Sequence, residues 1–181
     1  SESERERLKK LNEELSKLET QFSKNVLSDT NDLAVLVHTV EELDGLSENE
    51  IASAAAAAKD RGHEGKWLIG MVNFTGNPVL DSLTNRALRK KIMQESLLKA
   101  NRANGNDNKP ILLQTVKLRA ERAKLFGQST HAEHVIAVQT AEHPDNVHAM
   151  LRKIAPAAAR NAKAEAEDLK KSAGAEIESW D

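Results

Sequence analysis

Leu8, Leu11, Leu15, Leu18 and Phe22 recur at alternating three- and four-residue steps, with Glu, Lys and Arg between them. Residues so spaced share one face only in a helix, so the pattern predicts an amphipathic helix from about Glu4 to Asp29. The material available for packing against it is aliphatic. Aromatic residues make up 3% of the 181 residues (Phe22, Phe74, Phe126, Trp67 and Trp180), and there is no tyrosine. Alanine, leucine and valine must build the core, which suits packed helices better than a sandwich of sheets.

Further along, Leu33–Val37 is a short β-branched-rich run between Asn31-Asp32 and Glu41-Glu42, and reads as a strand. Ser47 followed three residues later by Glu50 matches a capping box, which starts a helix through Ile51 and the alanine tract and ends it near Gly62. Lys66–Phe74 reads as a second strand, followed by a turn at Gly76-Asn77. Pro78 opens a helix running towards Arg102 that buries Leu80, Leu83, Leu88, Ile92 and Leu97. After an Asn-rich loop at 103–108, helices are expected over Lys109–Phe126, closed by Gly127, and over Thr130–Gln139. A last helix runs from Pro144 to about Ser172, with Pro156 bending or restarting it. The expected architecture is mainly α: a multi-helix array with a short two-stranded β element at about residues 33–39 and 66–74.

Charge and composition exclude several roles. Basic and acidic residues nearly cancel, 26 against 28, so no net field favours nucleic acid or a membrane surface. There is no cysteine, hence no disulfide framework and no thiolate metal site. The longest apolar run, Ala54–Ala58, is far short of the roughly 20 residues that span a bilayer. No signal peptide is visible, and Ser1 reads as an expression scar or a processed end. Together these point to a soluble, cytoplasmic helical protein.

Three clusters invite a chemical reading. His131-Ala-Glu-His134 places two histidines one helical turn apart, but metallopeptidase helices use His-Glu-x-x-His, with ligands four apart and glutamate directly after the first. The spacing and order here are wrong for a catalytic zinc site, and two partly exposed histidines on a short helix is the better reading. Arg86, Arg89, Lys90 and Lys91 form a basic cluster expected to be a solvated face pairing with Asp81 or Glu95. The loop at 104–108 has one glycine, Gly105, and lacks the order that cradles phosphate. Asn106-Asp107-Asn108 is expected to end one helix and cap the next, since the twelve-residue calcium pattern ending in Glu is missing.

The stretch Gly65–Ile92 carries a further signal. Gly65-Lys66-Trp67, the strand after it, Pro78, and Leu83-Thr84-Asn85-Arg86-Ala87-Leu88-Arg89 resemble the thimet oligopeptidase/dipeptidyl carboxypeptidase family of zinc metallopeptidases. The likeness extends upstream through Arg7–Ser16, Phe22–Val26 and Gly45-Leu46-Ser47. Downstream it continues through Gly105–Asn108 and Leu118–Gly127. The chain departs from the family at His131 and His134, where an aromatic pair is common, and contains no His-Glu-x-x-His.

The resemblance implies that residues 1–181 are a single helical fragment of a longer cytoplasmic peptidase, lying upstream of its zinc-binding catalytic region. Such a fragment is a scaffold or channel-wall segment. By itself it is expected to be inactive and to supply no catalytic, cofactor-binding or metal-binding residue. The parent enzyme binds zinc and hydrolyses short peptides, as a peptidyl-dipeptidase or an oligopeptidase. The implied partners are the remainder of the parent peptidase and those peptides, with neither nucleic acid nor membrane. Surfaces freed from that remainder are expected to let the isolated chain form a homodimer. The alternative reading is a free-standing helical protein-interaction module built on the Leu8–Phe22 stripe. A third, a small metal-binding protein using His131 and His134, is weaker.

Overall fold

The computed structural model describes residues 1–181, side chains of 73–77 excepted. In chain order the elements are α1 (Glu2–Asp32), β1 (Val35–Val37), a 3-10 turn (Val40–Leu43), α2 (Glu48–Asp60), β2 (Trp67–Ile69), α3 (Asn73–Ser82), α4 (Arg86–Leu97), α5 (Lys109–Leu125), α6 (His131–Ile136) and α7 (Pro144–Ala173). The mainly α expectation with a two-stranded element holds. β1 and β2 pair antiparallel, with Val35 opposite Ile69, Leu36 opposite Leu68 and Val37 opposite Trp67. Both strands are shorter than expected.

The chain divides into two compact units. One comprises Ser1–Thr20 and Pro110–Ile177. Its small core is Leu11, Leu15 and Leu118, with Leu18 and Leu125 packed alongside. The leucine stripe is thus spent internally, on α5, rather than offered as a seam to a partner. Arg7 with Glu121, Arg119 with Glu19, and a bond from Arg122 to Asn12 flank that packing.

The other unit comprises Gln21–Lys109 and Glu178–Asp181. Its larger core gathers Leu33, Val35 and Val37, Leu43 and Leu46, Ala54, Ile69 and Met71, and Val79, Leu83, Leu88 and Ile92. The capping box forms as read: Ser47 Oγ accepts from the Glu50 N–H at 3.3 Å, and Glu50 accepts from the Ser47 N–H at 2.8 Å.

Three expectations are corrected. The span of α3 begins at Asn73, so Lys66–Phe74 is not one strand and Pro78 lies inside a helix rather than opening one. The expected turn at Gly76-Asn77 falls within that span, among the residues whose side chains lie outside the described set. The long helix towards Arg102 is in fact two, α3 and α4. Leu83 leaves the helix with ψ 123°, and Asn85 restarts it as an N-cap, its side-chain oxygen accepting from the Leu88 N–H at 3.1 Å. Leu97, at the end of the shorter α4, is consequently 65% exposed rather than buried. Pro156, finally, does not restart α7, which runs unbroken from Pro144 to Ala173 with no buried residue. Residues 151–160 are all exposed, so the carbonyl that loses its donor to Pro156 is not buried in a core.

Candidate functional site

The signature stretch Leu83–Lys90 is where distant parts of one unit converge. Thr84 ties back to the turn before α2: its N–H donates to the Asp44 carbonyl at 2.9 Å and its hydroxyl to the Asp44 carboxylate at 2.7 Å. Gly45 makes the approach possible. With φ at +94°, it lies in a region that favours glycine, and a Cβ there would collide with the Ser82 carbonyl oxygen.

The arginines that follow reach to the other end of the sequence. Arg86 grips Asp181 with two bonds, from Nε and Nη2, each 2.6 Å. Arg89 donates from Nη1 to the carbonyls of Leu83 (2.8 Å) and Thr84 (3.0 Å), from Nε to the Trp180 carbonyl (2.7 Å), and from Nη2 to Asp181 (3.4 Å). The planar guanidinium is the one side chain able to serve so many acceptors at fixed angles. Lys90 Nζ lies 5.0 Å from the centre of the Trp180 ring, a cation–π distance. The Arg86 hydrogen bonds hold the Asp181 carboxyl down to about 2 against the opposing effect of desolvation. They raise Arg86 in turn. Arg86, Lys90 and Lys91 are exposed as expected of a solvated face, but the acid that Arg86 and Arg89 pair with is neither Asp81 nor Glu95. The partner of Arg86 lies 95 residues away in the sequence.

A second polar node lies at the Asn-rich loop. Asp29 on α1 is fully buried and accepts from the Ala100 N–H (2.7 Å), from Arg102 Nε (3.2 Å) and Nη2, and from Asn106 Nδ2 (2.8 Å). The Arg102 bonds lead in holding its carboxyl below the usual range, although burial pushes the other way. Asn25, one turn earlier, donates to Asn108 Oδ1 at 2.8 Å, and Asn108 Nδ2 donates to the Phe22 carbonyl at 3.0 Å. Asp107 caps α5 as expected, accepting the Lys109 N–H at 2.9 Å. Asn106 and Asn108 instead fasten the loop to α1.

His131 and His134 stand on α6 with ring centres 6.3 Å apart. His134 stacks on Phe126 at 4.7 Å and shares a 2.8 Å bond between Nδ1 and Gln128 Oε1. Burial leads in pushing His131 below its ordinary range, and the charges of Arg119 and Arg122 add to the shift. Among the described residues no three His, Asp or Glu side chains come together as a metal-binding group. The described residues here do not fit a zinc ion. An open groove of about 450 Å³ runs between α2 (Ser53, Ala57), β2 (Leu68, Ile69) and α3 (Pro78, Val79).

Sequence reading missed Asn25, Asp29 and Asp181. For the first two a signal was present: Asn25 and Asp29 continue the three-and-four stepping of Leu11, Leu15, Leu18 and Phe22. A polar residue in phase with a buried stripe requires a buried partner. Asp181 shows no such phasing, and Ser179-Trp180-Asp181 stands out in the sequence only by its resemblance to a segment of the peptidase family.

Comparison with known proteins gives this arrangement a context. The profile of peptidase family M3 matches residues 79–181, from α3 through the Trp180-Asp181 segment. Dipeptidyl carboxypeptidase of Escherichia coli (strain K12) is 33% identical over all of this chain, which covers 27% of that protein. The probable cytosolic oligopeptidase A of Arabidopsis thaliana is 36% identical over 92% of the chain and 24% of its own length. Oligopeptidase A of Haemophilus influenzae is 31% identical over 94% of the chain and 25% of its own. The chain thus spans about a quarter of the length of these curated relatives.

Proposed function

From the premise that this chain belongs to peptidase family M3, we propose that it is a helical scaffold segment of a zinc-dependent cytoplasmic peptidase that hydrolyses short peptides. The match over residues 79–181, joined by relatives named dipeptidyl carboxypeptidase and oligopeptidase A, carries the reading. The scaffold role rests on what the residues are used for. The signature arginines are consumed in holding backbone carbonyls and Asp181. The carboxylate of the Asn-rich loop network is fully buried in ion pairs and hydrogen bonds. Neither set forms a metal-binding group among the described residues.

In this reading the zinc ligands lie outside residues 1–181, and the segment contributes wall or support to the space that admits peptides. The test is direct. The longer polypeptide carrying these residues should bind one zinc and cleave short peptides, losing activity with a chelator, while residues 1–181 alone should cleave none. Stoichiometric zinc on the 181-residue chain together with peptide hydrolysis would overturn the proposal. Cleavage that removes two residues at a time from the carboxyl end would specify the peptidyl-dipeptidase form; internal cleavage would specify the oligopeptidase form.

A further inference from the structure

We propose that Arg86 and Arg89 are positioning residues, a two-arginine clamp that holds Trp180-Asp181 as an internal ligand on α4 and so fixes the path of the polypeptide at that point in the peptidase. The catalytic part of this inference rests on the proposed function above; the clamp itself does not.

Four observations carry it. First, the recognition is specific to a dipeptide and not just to charge. The Asp181 carboxylate takes a two-pronged bond from Arg86, the Trp180 carbonyl takes Arg89 Nε, and the Trp180 ring faces Lys90. Second, the Arg89 side of the clamp is sheltered, with the side chains of Arg89 and Asp181 15% and 14% exposed, while Arg86 closes it from the solvent side at 57% exposed. Charge-assisted bonds out of water are the strong ones. Third, the segment is ordered by its own ligand group: Asp181 Oδ2 also accepts the Glu178 N–H at 3.0 Å, closing a turn over 178–181. Fourth, Arg89 reads two things at once. The guanidinium that holds Trp180 also holds the carbonyls of Leu83 and Thr84, and Thr84 is bonded to Asp44. The α3–α4 break, the turn before α2 and the 178–181 segment thereby share one anchor. A surface ion pair would leave the segment free to wander; this arrangement gives it one place and one orientation.

The test has two arms. In the 181-residue chain, Asp181→Asn, Arg86→Gln and Arg89→Lys are compared with the parent by amide hydrogen exchange over 178–181. Trp180 fluorescence is read alongside, in a Trp67→Phe background. Each variant should speed exchange by about tenfold or more, the scale of losing charge-assisted hydrogen bonds. Trp180 emission should shift to the red. Arg86→Gln and Asp181→Asn together should do little more than either alone, whereas Asp181→Glu should recover much of the protection. Exchange within about twofold of the parent in the three single variants overturns the clamp, that being the scale of a surface change.

In the longer peptidase, Arg89→Lys should lower kcat with KM and zinc content nearly unchanged, because the fault is in alignment rather than in binding. Unchanged kcat alongside a broken clamp overturns the positioning role and leaves the family reading standing. A parent polypeptide that cleaves no peptide overturns both, even where the first arm succeeds.

Discussion

Replacing Asp29 isolates the energetic worth of the loop network. In Asp29→Ala the Ala100 N–H loses its acceptor in a buried place, which costs about 1–3 kcal/mol. Arg102 loses a partner that is fully buried and keeps only Asp32, a 3.4 Å contact at the surface. Breaking a buried ion pair from one side costs about 3–5 kcal/mol in total, and that is the expected loss here. Asp29→Asn is the sharper test because it preserves shape. One carboxylate oxygen serves Ala100 and Arg102 Nε, the other Arg102 Nη2 and Asn106. Whichever way the amide is turned, its NH₂ group meets two donors, so the isosteric change should still cost at least about 2 kcal/mol. Urea unfolding followed by tryptophan emission measures both, since Trp67 and Trp180 lie in the same unit as Asp29. The pH dependence follows from the lowered carboxyl. Its contribution is complete above the unfolded value of about 3.9 and is lost as pH falls through the lower folded value. The gap between wild type and variant should therefore be flat from pH 8 to 5 and narrow below about 4. An asparagine variant within about 0.5 kcal/mol of wild type would refute the reasoning.

Gly45→Ala should destabilise by about 2–3 kcal/mol, through its positive φ and the collision with the Ser82 carbonyl, as a lowered urea midpoint would register. Because Asp181 is held down to about 2, exchange protection over 178–181 should persist unchanged down to about pH 4. It should be lost as the pH falls further towards 2. His131 should protonate at lower pH than an exposed imidazole, and Arg119→Gln should raise its midpoint as followed by NMR. Since the folded value is the lowered one, its contribution to stability is present above about pH 6.5 and fades as pH falls.

The helices, the capping box and the strand pair were legible because each is written locally. The leucine stripe has a period, Ser47 and Glu50 have a spacing, and β-branched residues cluster at 33–37. The break between α3 and α4 was not, although Asn85 is a strong cap residue. Nothing local makes Thr84 leave the helix; its bonds to Asp44 do, and those depend on tertiary approach. The basic cluster was misread for a related reason. Within the cluster only Lys91 has an acid at helical spacing, Glu95 at i+4, and local spacing gives no sign of the sheltered carboxylate at position 181 that pairs with Arg86. The family resemblance located the block correctly without saying what its arginines hold.

With no buried residue along its 30, α7 owes its helix to alanine-rich propensity, its Pro144 start and the left-handed Gly174 stop more than to a core. A helix of that kind melts by gradual fraying and not in concert with a packed interior. Far-ultraviolet circular dichroism should decline over a broad temperature range before tryptophan emission changes at all. A single melting temperature would then describe the probe chosen rather than the molecule.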